Sequence, residues 1–129
     1  MFIYVTVAFL YNDLFRNSNF GNYHPVLAKR VSNVYDLTKL LEIKDKVKFF
    51  TNDIADLKTL SLFHTKDYLE VLQETEKNQT ISEANAKKYN LGTFSNPIFK
   101  EMFSRHATSA GALILATNLV EKNYKYVFS

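Results

Sequence analysis

The first apolar run, "MFIYVTVAFLY", constrains the fold more than any other stretch of this chain. Val5 to Tyr11 are mostly β-branched, aromatic or aliphatic, and apolar residues do not alternate cleanly with polar ones. A strand with one wet face alternates, whereas a strand covered on both faces does not. The run therefore predicts a buried strand in a parallel sheet. It is too short to cross a bilayer as a helix. It also lacks the basic leader and small-x-small cleavage pattern of a signal peptide. A cytoplasmic protein without a membrane partner is the resulting expectation.

Further elements follow in alternation. "NDLFRNSNFGNY" reads as a loop rich in Asn, Ser and Gly. Gly21 and Asn22 suit a turn, and Pro25 suits the first turn of a helix. Leu27, Val31, Val34, Leu37 and Leu41 fall on one face of that helix, which ends near Leu41, and Val26 and Leu27 begin its buried side. Val47 to Phe50, "VKFF", is a second strand. Asp53 is placed to cap a short helix through Leu62 containing Ala55, Leu57 and Leu60, and Thr65 to cap "KDYLEVLQETEK". "NQTISEANAKKYN" is polar and reads as a loop with room for a helical turn; "LGTFSNP" is a second loop. A long helix then runs from Pro97 to Lys122. Phe99, Phe103, His106, Ala110, Leu113, Thr117 and Val120 form its apolar stripe. "KYVFS" begins a further strand.

This order predicts an α/β fold with a mostly parallel sheet flanked by helices. The 129 residues, 47% of them hydrophobic, suit part or all of one domain, and no linker or repeat divides them. There is no cysteine, which excludes disulfides and thiolate metal sites. The net charge is only +3, and Lys and Arg are interspersed with Asp and Glu, so no nucleic-acid partner is expected. Of the three histidines, His24, His64 and His106, none has a partner at metal-ligand spacing. His106 reads as a partly buried residue of the helix stripe, and His64 as a local hydrogen-bonding residue ahead of a helix. Asp53 with Asp56, and Asp67 with Glu70, are spaced as surface or capping pairs. No nucleophile elbow and no phosphate-binding glycine loop is present. From the residues alone, the chain carries no complete catalytic constellation.

Four stretches taken together add a resemblance. "HPVLAKRV" resembles the H-P-x-x-x-x-R-V segment of the histone deacetylase superfamily, and "DLKTLSLFHTKDYLEVL" its next signature. "YNLGTFSNPIF" is similar to its L-G-x-D-x-P loop, and "SAGALILATNLV" to the A-G-G-x-x-x-A-A helix that follows. Their order and intervals also agree, from Ala8 to Ser129. The bacterial branch of acetoin-utilisation proteins and acetylpolyamine amidohydrolases is the nearer one. The resemblance implies an arginase–deacetylase-type fold and zinc-dependent hydrolysis of acetyl-lysine or acetylpolyamine amides, with zinc and a histidine base activating water. In the family, the paired histidines, the zinc ligands and the catalytic tyrosine follow the strand that "YKYVFS" resembles. Residues 1–129 are thus expected to be the N-terminal part of one deacetylase-like domain, with no metal ligand and no catalytic residue of its own and inactive alone. Zinc is expected only for the complete domain.

Arg30 matches the family arginine that lines the inner end of the substrate channel, where a guanidinium suits the product carboxylate. Its alternative role is a helix arginine paired with a nearby acid. At the rim loop, Phe94 and Ser95 stand where many members carry an acid that anchors the substrate backbone. That charge is missing here, and Phe94 either makes an apolar rim or simply packs. A different class of function is also open. The chain could be a non-enzymatic binding module that pairs with another polypeptide along the sheet edge at "KYVFS".

Overall fold

The computed structural model describes residues 7–20, 24, 29–41, 43 and 46–129. At its centre lies a parallel sheet of three strands, β1 (Val7–Leu10), β2 (Val47–Phe50) and β3 (Tyr126–Phe128), in the order β2-β1-β3. The register sets Phe9 beside Phe49 and Phe128, and Ala8 beside Lys48 and Val127. Residues in register share a face, so each face has its own composition. Both expected later strands are present. Of the expected first strand, Val5 and Thr6 lie outside the described residues, as do Gly21, Asn22 and Pro25 to Leu27 of the predicted turn and helix start.

Helices cover both faces, as the unalternating first strand requires. On one side stands α2 (Arg30–Leu40), which follows the single turn α1 (Leu14–Asn17). On the other stands α6 (Ser104–Glu121). Between β2 and α6 come α3 (Leu57–Leu60), α4 (Lys66–Asn78) and α5 (Glu83–Tyr89). α1 and α5 correct two stretches read as loops. Asn12 Oδ1 accepts from Leu14 N–H at the start of α1 (2.9 Å), and Ser82 Oγ accepts from Asn85 N–H at the start of α5 (3.3 Å). Asn12 closes an Asx turn ahead of α1, and Ser82 caps α5.

α2 meets the sheet through a different face from the one its leucines predicted. Tyr35 stacks on Tyr11 (3.9 Å between centroids, 4° between planes) and meets Phe49 edge-on at 5.7 Å. Ser32 is buried, whereas Val34, Leu37 and Leu41 are exposed. An aromatic ring reaches across to a flat sheet and buries more area than a leucine, so Tyr35 sets the rotation of the helix. Ala8 and Leu10 point the other way, into a core with Ala112 and Leu119 of α6, bordered by Phe50, Leu115 and Val127. Each buried leucine there contributes about 1.5–3 kcal/mol.

α6 corrects the sequence reading at both its start and its face. It begins at Ser104 rather than Pro97 because a carboxylate from α4 occupies its N-terminus. Glu76 Oε2 accepts from Phe103 N–H (2.7 Å), Ser104 N–H (2.8 Å) and Ser104 Oγ (3.0 Å). The anion satisfies orphan donors and complements the helix dipole. The buried positions are Arg105, Ala107, Thr108, Ala112 and Leu119, while His106, Leu113, Thr117 and Val120 of the predicted stripe are exposed. The helix is apolar nearly all round, so periodicity does not single out a face; small residues do. A Cβ on Gly111 would stand 2.1 Å from the carbonyl oxygen of Asp53 and 3.1 Å from the nitrogen of Ala55. Ala55 N–H donates to the Ala107 carbonyl (3.0 Å), and Asn52 Nδ2 donates to that of Thr108 (2.8 Å). This docking holds residues 51–55 outside any helix, and Asp53 does not cap α3. Asp56 does, accepting from Thr59 N–H at 2.7 Å.

Gly111→Ala should therefore lower stability by about 1–3 kcal/mol, through overpacking against backbone that has little room to move. In an open helix the same change would stabilise by up to ~1 kcal/mol. Urea melts decide, and a stabilised variant would refute the close approach. Glu76→Ala should cost about 1–3 kcal/mol by orphaning the donors of α6, and Glu76→Gln less. Faster amide exchange at Phe103 and Ser104, specific to Glu76→Ala, is the companion observation.

Candidate functional site

One end of the molecule gathers residues from α1, α2, the start of α6 and the loop after α5. α1 and α2 are tied by a two-pronged ion pair: Arg16 Nη1 donates to Asp36 Oδ2 (2.8 Å) and Nη2 to Oδ1 (2.7 Å). The fork geometry orients as well as attracts. α2 begins at Arg30, which is exposed and makes no ion pair among the described residues. The paired-acid alternative for Arg30 has no ion-pair partner there.

The loop from Gly92 to Pro97 is shaped by hydrogen bonds to backbone carbonyls. Gly92 N–H donates to the Asn96 carbonyl (2.9 Å), Asn96 N–H to that of Thr93 (3.2 Å), and Asn96 Nδ2 to that of Asn90 (3.0 Å). Gly92 takes φ +76°, a conformation that disfavours any residue with a Cβ. Phe94 and Ser95 are held out at the exposed tip. Phe94 is 73% exposed, yet its ring lies 6.3 Å from that of His24. His24 in turn lies 5.0 Å from Phe20, which meets Phe99 edge-on at 4.8 Å. The fold thus brings His24 near Phe94, two residues far apart in the chain. Ser95 has no part in this aromatic chain.

Arg105 is the member that sequence reasoning passed over. It is only 8% exposed, with its guanidinium carbon 4.9 Å from the ring centroids of both Phe15 and Phe20. Nη1 donates to Ser18 Oγ. Burial pushes its pKa down, the neighbouring Glu101 carboxylate opposes this, and the positive charge of Arg30 adds to the lowering. The available signal was a lone arginine within a run of small and apolar helix residues.

Two further histidines border this cluster, with the His106 ring 6.2 Å from that of Phe99. A largely apolar cleft of about 220 Å³ opens between α4 and α6, with His64, Tyr68, Asn96 and His106 among its lining. His106 donates from Nδ1 to the Met102 carbonyl (2.6 Å) and is exposed, not partly buried. His64 donates its backbone N–H to Leu60 (3.0 Å) and packs its ring on Phe63 and Tyr68. Asp67 accepts from Lys88 Nζ (2.8 Å) and from Tyr89 Oη, which together hold its carboxyl well below the usual range. Among the described residues, no group of three His, Asp or Glu is placed to hold a metal ion, and these residues do not fit a zinc site. No described helix is long and apolar enough to cross a membrane.

Residues 24–129 match the family described as "Histone deacetylase domain". The chain is 29% identical over 113 residues to the acetoin utilization protein AcuC of Bacillus subtilis (strain 168), covering 88% of this chain and 29% of that protein. It is 28% identical, with the same coverage, to AcuC of Staphylococcus aureus (strain MSSA476). The chain therefore spans under a third of the length of these relatives. Among solved structures it superposes on an HDAC homolog from Aquifex aeolicus with a TM-score of 0.81, at 25% identity, over 95% of this chain and 32% of that one. An HDAC homolog complexed with SAHA gives a TM-score of 0.78, at the same identity and coverage. The fold is thus of the arginase–deacetylase type, as the sequence led us to expect.

The Arg16–Asp36 fork makes a pH-dependent prediction. Hydrogen bonding from Arg16 holds the Asp36 carboxyl below the usual carboxylate range. A folded-state pKa below the unfolded value of about 3.9 means that the pair stabilises the fold above that pH. The contribution is lost as pH falls through the folded value. NMR titration of the Asp36 carboxyl carbon should show the depressed midpoint, and Arg16→Met should return it to the ordinary range. An unchanged midpoint in the variant would count against the tie.

Proposed function

Since the chain belongs to the histone deacetylase domain family, we propose that it supplies the N-terminal part of a zinc-dependent domain that hydrolyses acetyl-lysine or acetylpolyamine amides. In this reading residues 1–129 are one wall of the active site and are inactive alone. Supporting it most directly is the match of residues 24–129 to the histone deacetylase domain family, with His24 and Phe94 brought to 6.3 Å between ring centroids. The span of under a third of the relatives' length also supports it. Arg30 lines the inner channel and Phe94 with Ser95 the rim. Without an acid at the rim, substrate is held by apolar contact rather than by charge, which favours an acyl-amine over a peptide backbone. The zinc ligands and the water-activating base belong to residues outside this chain, and no step is assigned to the residues here beyond lining and holding substrate.

A second reading is favoured by the exposed apolar surface. Tyr126 and Phe128 of the edge strand β3 are half exposed, as are Leu113 and Val120 of α6 and Leu37 of α2. Such surface, with β3 at the edge of the sheet among the described residues, suits a module that binds another polypeptide.

Three measurements test these readings. The purified 129-residue chain, supplied with zinc, should give no turnover of acetyl-lysine or acetylpolyamine substrates, and clear turnover would sink the claim that it is inactive alone. The coding DNA beyond the Ser129 codon, read in all frames, should encode a glycine-rich stretch with two adjacent histidines. Without it, and with a compact soluble monomer in sedimentation, neither the split domain nor the need for a partner survives.

A further inference from the structure

Protein interiors pack with few voids larger than a water molecule. The cleft between α4 and α6 departs from that rule, with about 220 Å³ of open space over buried Leu69, Leu91, Phe99 and Met102. An apolar cavity of roughly 150 Å³ is enough to hold a benzene ring. This cleft therefore takes one ring with a few further heavy atoms. It is too small for the drug-sized ligands that fill clefts of about 300–1,000 Å³. Among the described residues that line it, none is Lys, Arg, Asp or Glu, so it offers no counter-charge to an anion or a cation.

The polar groups of the lining are biased toward accepting. His106 meets the Met102 carbonyl through Nδ1, and a carbonyl oxygen only accepts, so the proton sits on Nδ1. In the neutral ring Nε2 is then left as an acceptor, and no hydrogen bond reaches it from the described residues. Asn96 Nδ2 donates to the Asn90 carbonyl, which orients the amide and leaves Oδ1 to accept. Tyr68 adds a hydroxyl that serves either way.

We propose that this cleft binds a small neutral aromatic molecule carrying one O–H or N–H donor, of the size of phenol or indole. The ring packs on Phe99 and Met102, since aromatic rings and a thioether both favour aromatic partners. The donor goes to His106 Nε2. Asn96 belongs to the loop from Gly92 to Pro97, so a ligand in the cleft touches the same loop that holds out Phe94 and Ser95. The site does not rest on the deacetylase reading, because Arg30, Phe94 and Ser95 do not line it.

The test is a carbon-13 methyl NMR titration of the 129-residue chain with phenol, in mildly alkaline buffer that keeps histidine neutral. The Met102 methyl signal should shift saturably, with a midpoint in the roughly millimolar range, and the Asn96 amide should report the same midpoint. Benzoate, the charged analogue, should bind at least about tenfold more weakly. His106→Leu should weaken phenol binding about three- to tenfold, the worth of one neutral hydrogen bond. The same variant should not weaken toluene, which has the shape without the donor. Ala110→Leu puts a larger side chain into the cleft and should remove both ligands. His106 is exposed, so His106→Leu keeps the test valid even if Ala110→Leu fails to fold. No saturable shift at Met102, benzoate binding as tightly as phenol, or a folded Ala110→Leu that binds phenol normally would overturn the proposal. So would a His106→Leu variant that leaves phenol binding unchanged or weakens toluene equally. The readout involves no turnover, so the cleft and the deacetylase reading stand or fall separately.

Discussion

The approach of α6 to the segment after β2 is the constraint on which the rest of the structure depends. At Gly111 the two backbones come so near that no side chain fits between them. Hydrogen bonds from Ala55 and Asn52 to carbonyls of α6 fix the segment along the helix rather than merely beside it. A helix carbonyl normally serves its own ladder; its second lone pair is available to a neighbour only at this range. The docking sets the depth of α6 on the sheet, which directs Ala112 and Leu119 at Ala8 and Leu10. It also sets where α6 begins. Glu76 can cap the helix only because α4 crosses its N-terminus. Arg105, one residue beyond that capped start, is placed by the same construction.

How much of this was legible in the sequence follows from the kind of signal each feature leaves. The strands were legible because β-branched and aromatic runs have few alternatives. α4 was legible from Thr65, which stands at its N-cap with extended backbone. The faces of α2 and α6 were not. Leucine spacing describes which residues align, not which side a sheet will choose, and here Tyr35 and a row of small residues chose. α5 was hidden by polarity, because its alanines and lysines are good helix formers that bury little. At the site, Arg30, Phe94 and Ser95 came from resemblance alone. The Phe94–His24 contact joins residues distant in sequence, and Arg105 obeys no motif, so only the folded arrangement brings them into view.

Aromatic residues dominate the candidate site for a reason of economy in contact. Phe15, Phe20, His24, Phe94 and Phe99 link α1, the loop after α5 and the start of α6 with few side chains. Rings have few rotatable bonds, so ordering them costs less entropy than ordering aliphatic chains of like area. The arrangement also leaves a guanidinium sheltered from water, where its interaction with an anion is stronger than on an open surface.

The strand order has a consequence for how the molecule comes together. β1 is the middle strand, and one of its two neighbours, β3, is almost the whole chain away. Until residues 126–128 arrive, one ladder of the central strand stays open. During synthesis on the ribosome β1 therefore waits for β3, through the time needed to make every helix between them. Closing so long a loop comes late and slowly in folding. Throughout that wait the open edge of β1 is an exposed pairing surface.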